Sequence, residues 1–344
     1  MDATSDGGRV GRGAAMTRVY GDHGLGARLG ELVGGRHPIV AAATVTGRGS
    51  TVAAIDARPT AAFEIGSLSK GITGLIYADA LARGEIDGTA TLGDLLPLGP
   101  CPAAAVTLAS LSTHSSGLPR LPASAAPLRT TIALWRHGTN PYGESLDELL
   151  VQARGVTPGR PRHRYSNFGF ELLGHAIAAA VGLPFVDLLR DRVALPLGLG
   201  TLSAPATPHD LGPGALAGRS RSGRPRQPWT GEALAPAGGI RASITDLATL
   251  TSALLDGTAP GCSALDQVED FGGPAVRIGA AWLTIETKGR LVTWHNGSTG
   301  GFSSWLGLDR AAGTGAVVLS ATCVPVDRHG FDLLAGLGAG PPGG

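Results

Sequence analysis

Ser67 stands three residues before Lys70 in Phe63-Glu64-Ile65-Gly66-Ser67-Leu68-Ser69-Lys70-Gly71. On a helix that spacing puts both side chains on one face, a turn apart. A serine hydroxyl is a weak nucleophile until a base takes its proton, and a free lysine amine is such a base. The positive end of a helix dipole and burial in a cleft both disfavour the ammonium ion, lowering the lysine pKa towards neutrality. Composition sharpens the pair: all but two of the 28 basic residues are arginine, the exceptions being Lys70 and Lys288. A position that keeps lysine against that trend points to an amine that must lose its proton, which a guanidinium cannot do. Lys288 lies in Thr287-Lys288-Gly289-Arg290, which reads as a surface turn.

Two further strings could complete such a site. In Arg164-Tyr165-Ser166-Asn167 a tyrosine precedes by two residues one of only three asparagines. The Tyr165 hydroxyl could carry protons between nucleophile and leaving group, and the Asn167 amide could orient Lys70 or the substrate. The plain alternative is a helix N-cap, Ser166 or Asn167, beside a packed tyrosine. The string Trp294-His295-Asn296-Gly297-Ser298-Thr299-Gly300-Gly301 ends a strand-like run. Its glycines would let substrate lie along the strand edge, with the Ser67 and Ser298 N–H groups aimed at one developing oxyanion. A glycine-rich hairpin turn is the alternative there.

With Thr107-Leu108, Thr113-His114-Ser115-Ser116-Gly117-Leu118-Pro119 and Ala235-Pro236-Ala237-Gly238-Gly239-Ile240, these strings resemble the class C β-lactamase-like serine hydrolases. That superfamily comprises penicillin-recognising enzymes, family VIII carboxylesterases, D-amino-acid peptidases and transacylases, and the resemblance covers nearly the whole chain. It implies Ser67 as the acylated nucleophile, Lys70 as its base, Tyr165 as a second proton carrier and Asn167 as a positioning amide. His295 and Gly297 then belong to the third motif, with Asn296 and Ser298 beside the substrate. One departure matters. The β-lactamases of this group carry Lys-Thr-Gly there, whereas this chain has His295 and Asn296. A histidine, with an ordinary pKa of about 6.5, is mostly neutral at pH 7 and makes a weaker anion site. That variant resembles the esterase, peptidase and acyl-transfer branches. His114 is read as a structural residue, since a lysine-based site has no need of it.

The surrounding elements must hold these strings together. A helix over Leu25–Val33 precedes two β-rich runs, Pro38–Val45 and Ser50–Ile55, joined by Thr46-Gly47-Arg48-Gly49 as a hairpin. Helical spacing begins at Ser67 and stops at Arg83-Gly84, and a second helix over Phe168–Val181 closes at Gly182 and Pro184. Ser243-Ile244-Thr245-Asp246 reads as the cap of a helix reaching Leu255. Strands return at Val276–Glu286, Leu291–His295, Phe302–Leu308 and Gly315–Thr322, before a final helix over Arg328–Leu337. The expected fold is therefore α/β (α+β): one antiparallel sheet built from both chain ends, flanked by helices, with a mainly helical insertion and a cleft between. The boundaries predicted are 17–60 with 265–338 for the sheet part and 61–264 for the helical part, with tails at 1–16 and 339–344. Pro119–Tyr142 and Ser203–Trp229 are the expected specificity loops. Arg219, Arg221, Arg224 and Arg226 fall in a linker-like stretch that reads as a solvated loop.

Of the 344 residues, 43% are hydrophobic and 16% charged, with a net charge of +1, which excludes a disordered polyelectrolyte and gives no field favouring nucleic acid or anionic membranes. No apolar run reaches the roughly 20 residues of a membrane helix. Cys101, Cys262 and Cys323 are too scattered for a disulfide framework or a metal knuckle. No histidine pairing, phosphate loop or G-x-S-x-G elbow is present, so no cofactor or metal is expected. The first residues have acids and glycines where an export signal has basic and apolar ones, so a cytoplasmic protein is expected, starting at Met1 or Met16. The expected activity is acyl-enzyme hydrolysis of a small ester or amide. The alternatives are acyl transfer to an amine or alcohol in specialised-metabolite (antibiotic) biosynthesis, β-lactam hydrolysis, and non-catalytic binding. Oligomeric state is not legible.

Overall fold

The computed structural model describes residues 17–122 and 138–337; the expected tails and most of the loop Pro119–Tyr142 lie outside them. Nine strands form one antiparallel sheet: β1 Val19–Gly21, β2 Val40–Thr46, β3 Gly49–Ile55, β6 Glu269–Asp270, β7 Val276–Ile278, β8 Leu283–Thr287, β9 Arg290–Ser298, β10 Ser303–Asp309 and β11 Thr314–Ser320. Their order is β1-β3-β2-β11-β10-β9-β8-β7-β6, so the N-terminal hairpin zips onto the last strand of the C-terminal meander. A small ribbon of β4 Phe63–Glu64 and β5 Arg241–Ala242 lies apart. Among the described residues the helices of nine residues or more are α1 His23–Val33, α2 Leu68–Ala82, α3 Leu146–Arg154, α4 Asn167–Val181, α5 Ile244–Leu255 and α6 Asp327–Ala335.

Period-two alternation decides which face each helix covers. Val40 and Ala42 of β2, with Trp305, Ala316 and Val318, join Leu29, Leu333 and Leu334 of α1 and α6 in one core. Ala41 and Ala43, with Leu306, Val317 and Leu319, join the larger core containing Leu247 and Leu250 of α5 and the apolar residues of α2 and α4. Hence α5, which the sequence boundaries put with the helical part, packs on the sheet. Among the described residues no single helix is long and apolar enough to cross a membrane. The three cysteines are free and partly buried.

Two expectations change. The run Val276–Glu286 is two strands, β7 and β8, paired as a hairpin with Ile278 opposite Leu283. The chain turns through Ala281, whose φ is 70°, and buries Trp282, whose Nε1 donates to the Gly71 carbonyl at 3.1 Å. The turn thus supports α2 from below. β9 runs past His295 to Ser298 because β10 pairs with it from Thr293 to Ser298, Ser303 lying opposite Ser298 and Trp305 opposite Asn296. The string Trp294–Gly301 thus holds the end of β9, through Ser298, and the start of the glycine-containing connection to β10, where Thr299 N donates to the Phe302 carbonyl.

Candidate active site

Ser67 caps the start of α2, so the i, i+3 spacing is realised on the first helical turn. Lys70 Nζ lies 3.3 Å from Ser67 Oγ and donates to the Ala237 carbonyl at 2.5 Å. Lys70 is fully buried, and that desolvation lowers its pKa to about 7, with Glu171 opposing the shift and Arg120 adding to it. A neutral amine keeps two N–H donors and one lone pair. Donation to Ala237 leaves that lone pair free for the serine proton.

Tyr165 enters just before α4. Ser166 caps that helix, its Oγ accepting from Gly169 N at 2.8 Å, and Gly182 closes it in the left-handed conformation, as its sequence predicts. Burial pushes the pKa of the Tyr165 hydroxyl upward, and the neighbouring Ser67 side chain opposes that shift. The Tyr165 ring centroid is 4.8 Å from Lys70 Nζ. The phenol is therefore a neutral acid, while Lys70 is the group able to accept a proton near pH 7. His114 packs behind Tyr165 at 4.6 Å, accepts from Ser166 N through Nδ1, and is held neutral by burial. It stays off the pocket wall.

Gly66 and Gly297 bring the two candidate oxyanion donors together. Gly66 has φ of 52°, and a Cβ there would sit 2.7 Å from Ser298 N; a Cβ on Gly297 would sit 1.9 Å from the Ile65 carbonyl and 2.8 Å from Ser67 N. Only glycine tolerates both approaches, so the end of β9 lies directly against the turn that opens α2. Ser67, Tyr165, Asn167, Asn296, Gly297 and Ser298 all line one pocket of about 640 Å³.

Three expected residues are engaged differently from the simplest reading. Asn167 Nδ2 donates to the Tyr142 hydroxyl at 2.9 Å and is not a partner of Lys70. Asn296 Nδ2 donates to Asp327 at the start of α6. His295 sits behind the pocket wall, 3% exposed, its ring edge-on to Trp282 and its Nδ1 beside the Asn296 carbonyl at 2.7 Å. Burial, then the charge of Lys70, lowers its pKa to about 4, so it offers no cation to substrate at neutral pH. Sequence reasoning did not single out Arg120, the only charged side chain among the described lining residues, or the Ala237 carbonyl that holds Lys70. Tyr142 and Trp229, with ring centroids 5.0 Å apart, form an aromatic wall and were legible only as the ends of two loops.

Beneath the wall lies a buried ion pair. Arg241 donates to Glu64 at 3.0 Å, both side chains being 2% exposed. Glu64 also accepts from Trp229 N at 3.0 Å and Thr299 Oγ1 at 2.6 Å, tying the aromatic wall to the end of β9. Among the described residues no three His, Cys, Asp or Glu side chains group to hold a metal ion.

The beta-lactamase family model matches residues 27–337. Among curated proteins the chain is 28% identical to the human beta-lactamase-like 1 protein over 257 residues, 72% of this chain and 49% of that protein. It is 31% identical to the D-alanyl-D-alanine-carboxypeptidase/endopeptidase AmpH of Escherichia coli K12 over 136 residues, 37% of this chain and 34% of that one. The matched stretch thus spans about half or less of these relatives' length. The fold is shared with the class C beta lactamase of Rhodobacter sphaeroides, at 22% identity and TM-score 0.75, covering 91% of this chain and 99% of that one. It is shared also with the beta-lactamase/D-alanine carboxypeptidase of Pseudomonas syringae, at 18% identity and TM-score 0.75, covering 91% and 100%. Since the match takes in every strand of the sheet but β1, α2, α4 and all the described residues lining the Ser67 pocket, the chain belongs to the beta-lactamase family, within the superfamily of β-lactamase-like serine hydrolases.

Proposed function

We propose that the protein is a serine acyl-enzyme hydrolase of a small ester or amide, with Ser67 as nucleophile, Lys70 as general base and Tyr165 as the acid for the leaving group. The observation that carries this reading is a fully buried lysine amine with a pKa of about 7, 3.3 Å from a serine hydroxyl that opens onto a 640 Å³ pocket. Lys70 takes the proton as Ser67 Oγ bonds to the substrate carbonyl carbon, and the carbonyl oxygen becomes an oxyanion facing the Ser67 and Ser298 N–H groups. Collapse breaks the bond to the leaving group, which takes a proton from Tyr165, itself resupplied from Lys70. Water then repeats the sequence on the acyl-serine and releases the acid. Arg120 offers the one guanidinium among the described lining residues to a substrate carboxylate, and the Tyr142–Trp229 wall suits an apolar acyl or leaving group. His295, buried and neutral, argues against a drug-carboxylate site at the third motif and so against β-lactam hydrolysis as the main activity.

The aromatic wall also supports a second reading, transfer of the acyl group to an amine or alcohol stacked there. Product analysis of a short-chain ester with competing amines separates the two. Free acid at every amine concentration supports hydrolysis; amide formed in proportion to amine supports transfer. No turnover of any ester, amide or thioester overturns both.

A further inference from the structure

Glu171 lies one turn after Asn167 on α4, and residues at i and i+4 share a helix face. It is completely buried, and neither Oε1 nor Oε2 has a hydrogen-bond partner. Asn167 Oδ1 is likewise buried without a partner, while its Nδ2 holds the Tyr142 hydroxyl on the pocket wall. Three acceptor atoms without a donor therefore share one helix face. Acceptors cannot satisfy one another, but a single proton on Glu171 turns a carboxylate oxygen into a donor. A neutral buried acid with a partner costs far less than an unpaired buried carboxylate. The groups facing Glu171 agree. Burial and the Glu144 carboxyl, from the segment leading into α3, favour the protonated form; Lys70 from α2 opposes it, and Tyr142 is an ordinary neutral phenol pushed further up by burial. The hydrogen bonds of Lys70 go to Ser67 and Ala237, and neither partner is a carboxylate.

We propose that Glu171 is a positioning residue that works as the neutral carboxylic acid, donating to Asn167 Oδ1 and so fixing the amide that holds Tyr142, while leaving Lys70 without a counter-ion. The second half rests on Lys70 being the base. A carboxylate at position 171 raises the Lys70 pKa and favours the ammonium form, so the neutrality of Glu171 helps to keep the base free.

Infrared difference spectra of the full chain, wild type minus Glu171→Gln at pH 7, test the protonation state without any turnover. A protonated-carboxyl C=O band lost in the variant is the expected result; loss of carboxylate bands overturns the proposal. The pH dependence of kcat/KM gives a second readout. Glu171→Gln should keep the acid limb of the wild type, whereas removal of an ionised carboxylate would shift that limb down by about one unit or more. Gln can also donate to Asn167, so it should retain most of kcat, while Glu171→Leu should lose about tenfold or more. Equal losses in the two variants overturn the positioning role. The spectra stand even if Glu171→Leu fails to fold or Lys70 is not the base.

Discussion

Lys70 Nζ donates to the backbone carbonyl of Ala237 at 2.5 Å, a contact that spans 167 residues of sequence and fixes the amine beside Ser67. A carbonyl can hold an amine in place without supplying the full charge of a carboxylate. Burial therefore dominates, and the pKa falls to about 7. Because the free amine is the active form, kcat/KM should rise with pH through about 7 and fall about tenfold per unit below it. A rate flat between pH 5 and 8 would contradict that assignment.

The same shift has a consequence for stability. Between about 7 and the ordinary lysine value the folded state binds fewer protons than the unfolded state, so stability should rise with pH across that window. The desolvation penalty is present in full below pH 7. Lys70→Met should abolish activity while making the protein more stable at pH 6, by up to a few kcal/mol, with the gain vanishing near pH 10. Urea unfolding at both pH values measures it.

Lys70→Arg keeps the charge and loses the base. Its guanidinium stays protonated at any working pH, so kcat should drop about 10²–10⁴-fold with a normal circular-dichroism spectrum. Steady-state turnover of the best ester decides this.

At the mouth of the pocket, Gly297→Ala inserts a Cβ 1.9 Å from the Ile65 carbonyl and 2.8 Å from Ser67 N. The end of β9 must then move off the turn that opens α2, separating the two N–H donors. The expected loss is about 10²–10³ in kcat, with a smaller change in KM.

Arg241→Met should leave the Glu64 carboxylate buried and unpaired, costing about 3–5 kcal/mol near neutral pH. Burial already raises the Glu64 pKa and Arg241 opposes it, so without the arginine the folded state takes up a proton more readily. The deficit should therefore shrink as pH falls. Denaturant midpoints at pH 5 and 8 give the comparison, and equal deficits would contradict the burial of that charge.

Local chemistry in this protein is readable from its sequence wherever it depends on neighbours a few residues apart. The Ser67–Lys70 spacing, the Ser166 and Ser243 caps and the Gly182 stop are all satisfied within one turn of helix. What depends on distant pairing was hidden. β1 is three residues long and exists only by pairing with β3. The break in Val276–Glu286 follows from Trp282 packing beneath α2, which no periodicity announces. Glu64 and Arg241 are 177 residues apart, so two charged residues in an apolar setting gave no sign of forming a pair. His295 shares the inward parity of Gly297 on β9, but which side of that strand faces substrate is set by the sheet and the position of α2.

Intact-mass analysis after treatment with a fluorophosphonate tests the central claim most directly. The account predicts one adduct on the wild type, mapping to Ser67, absent in Ser67→Ala and formed far more slowly in Lys70→Arg. An unlabelled wild type, an adduct at another residue, or undiminished labelling in Lys70→Arg would contradict it.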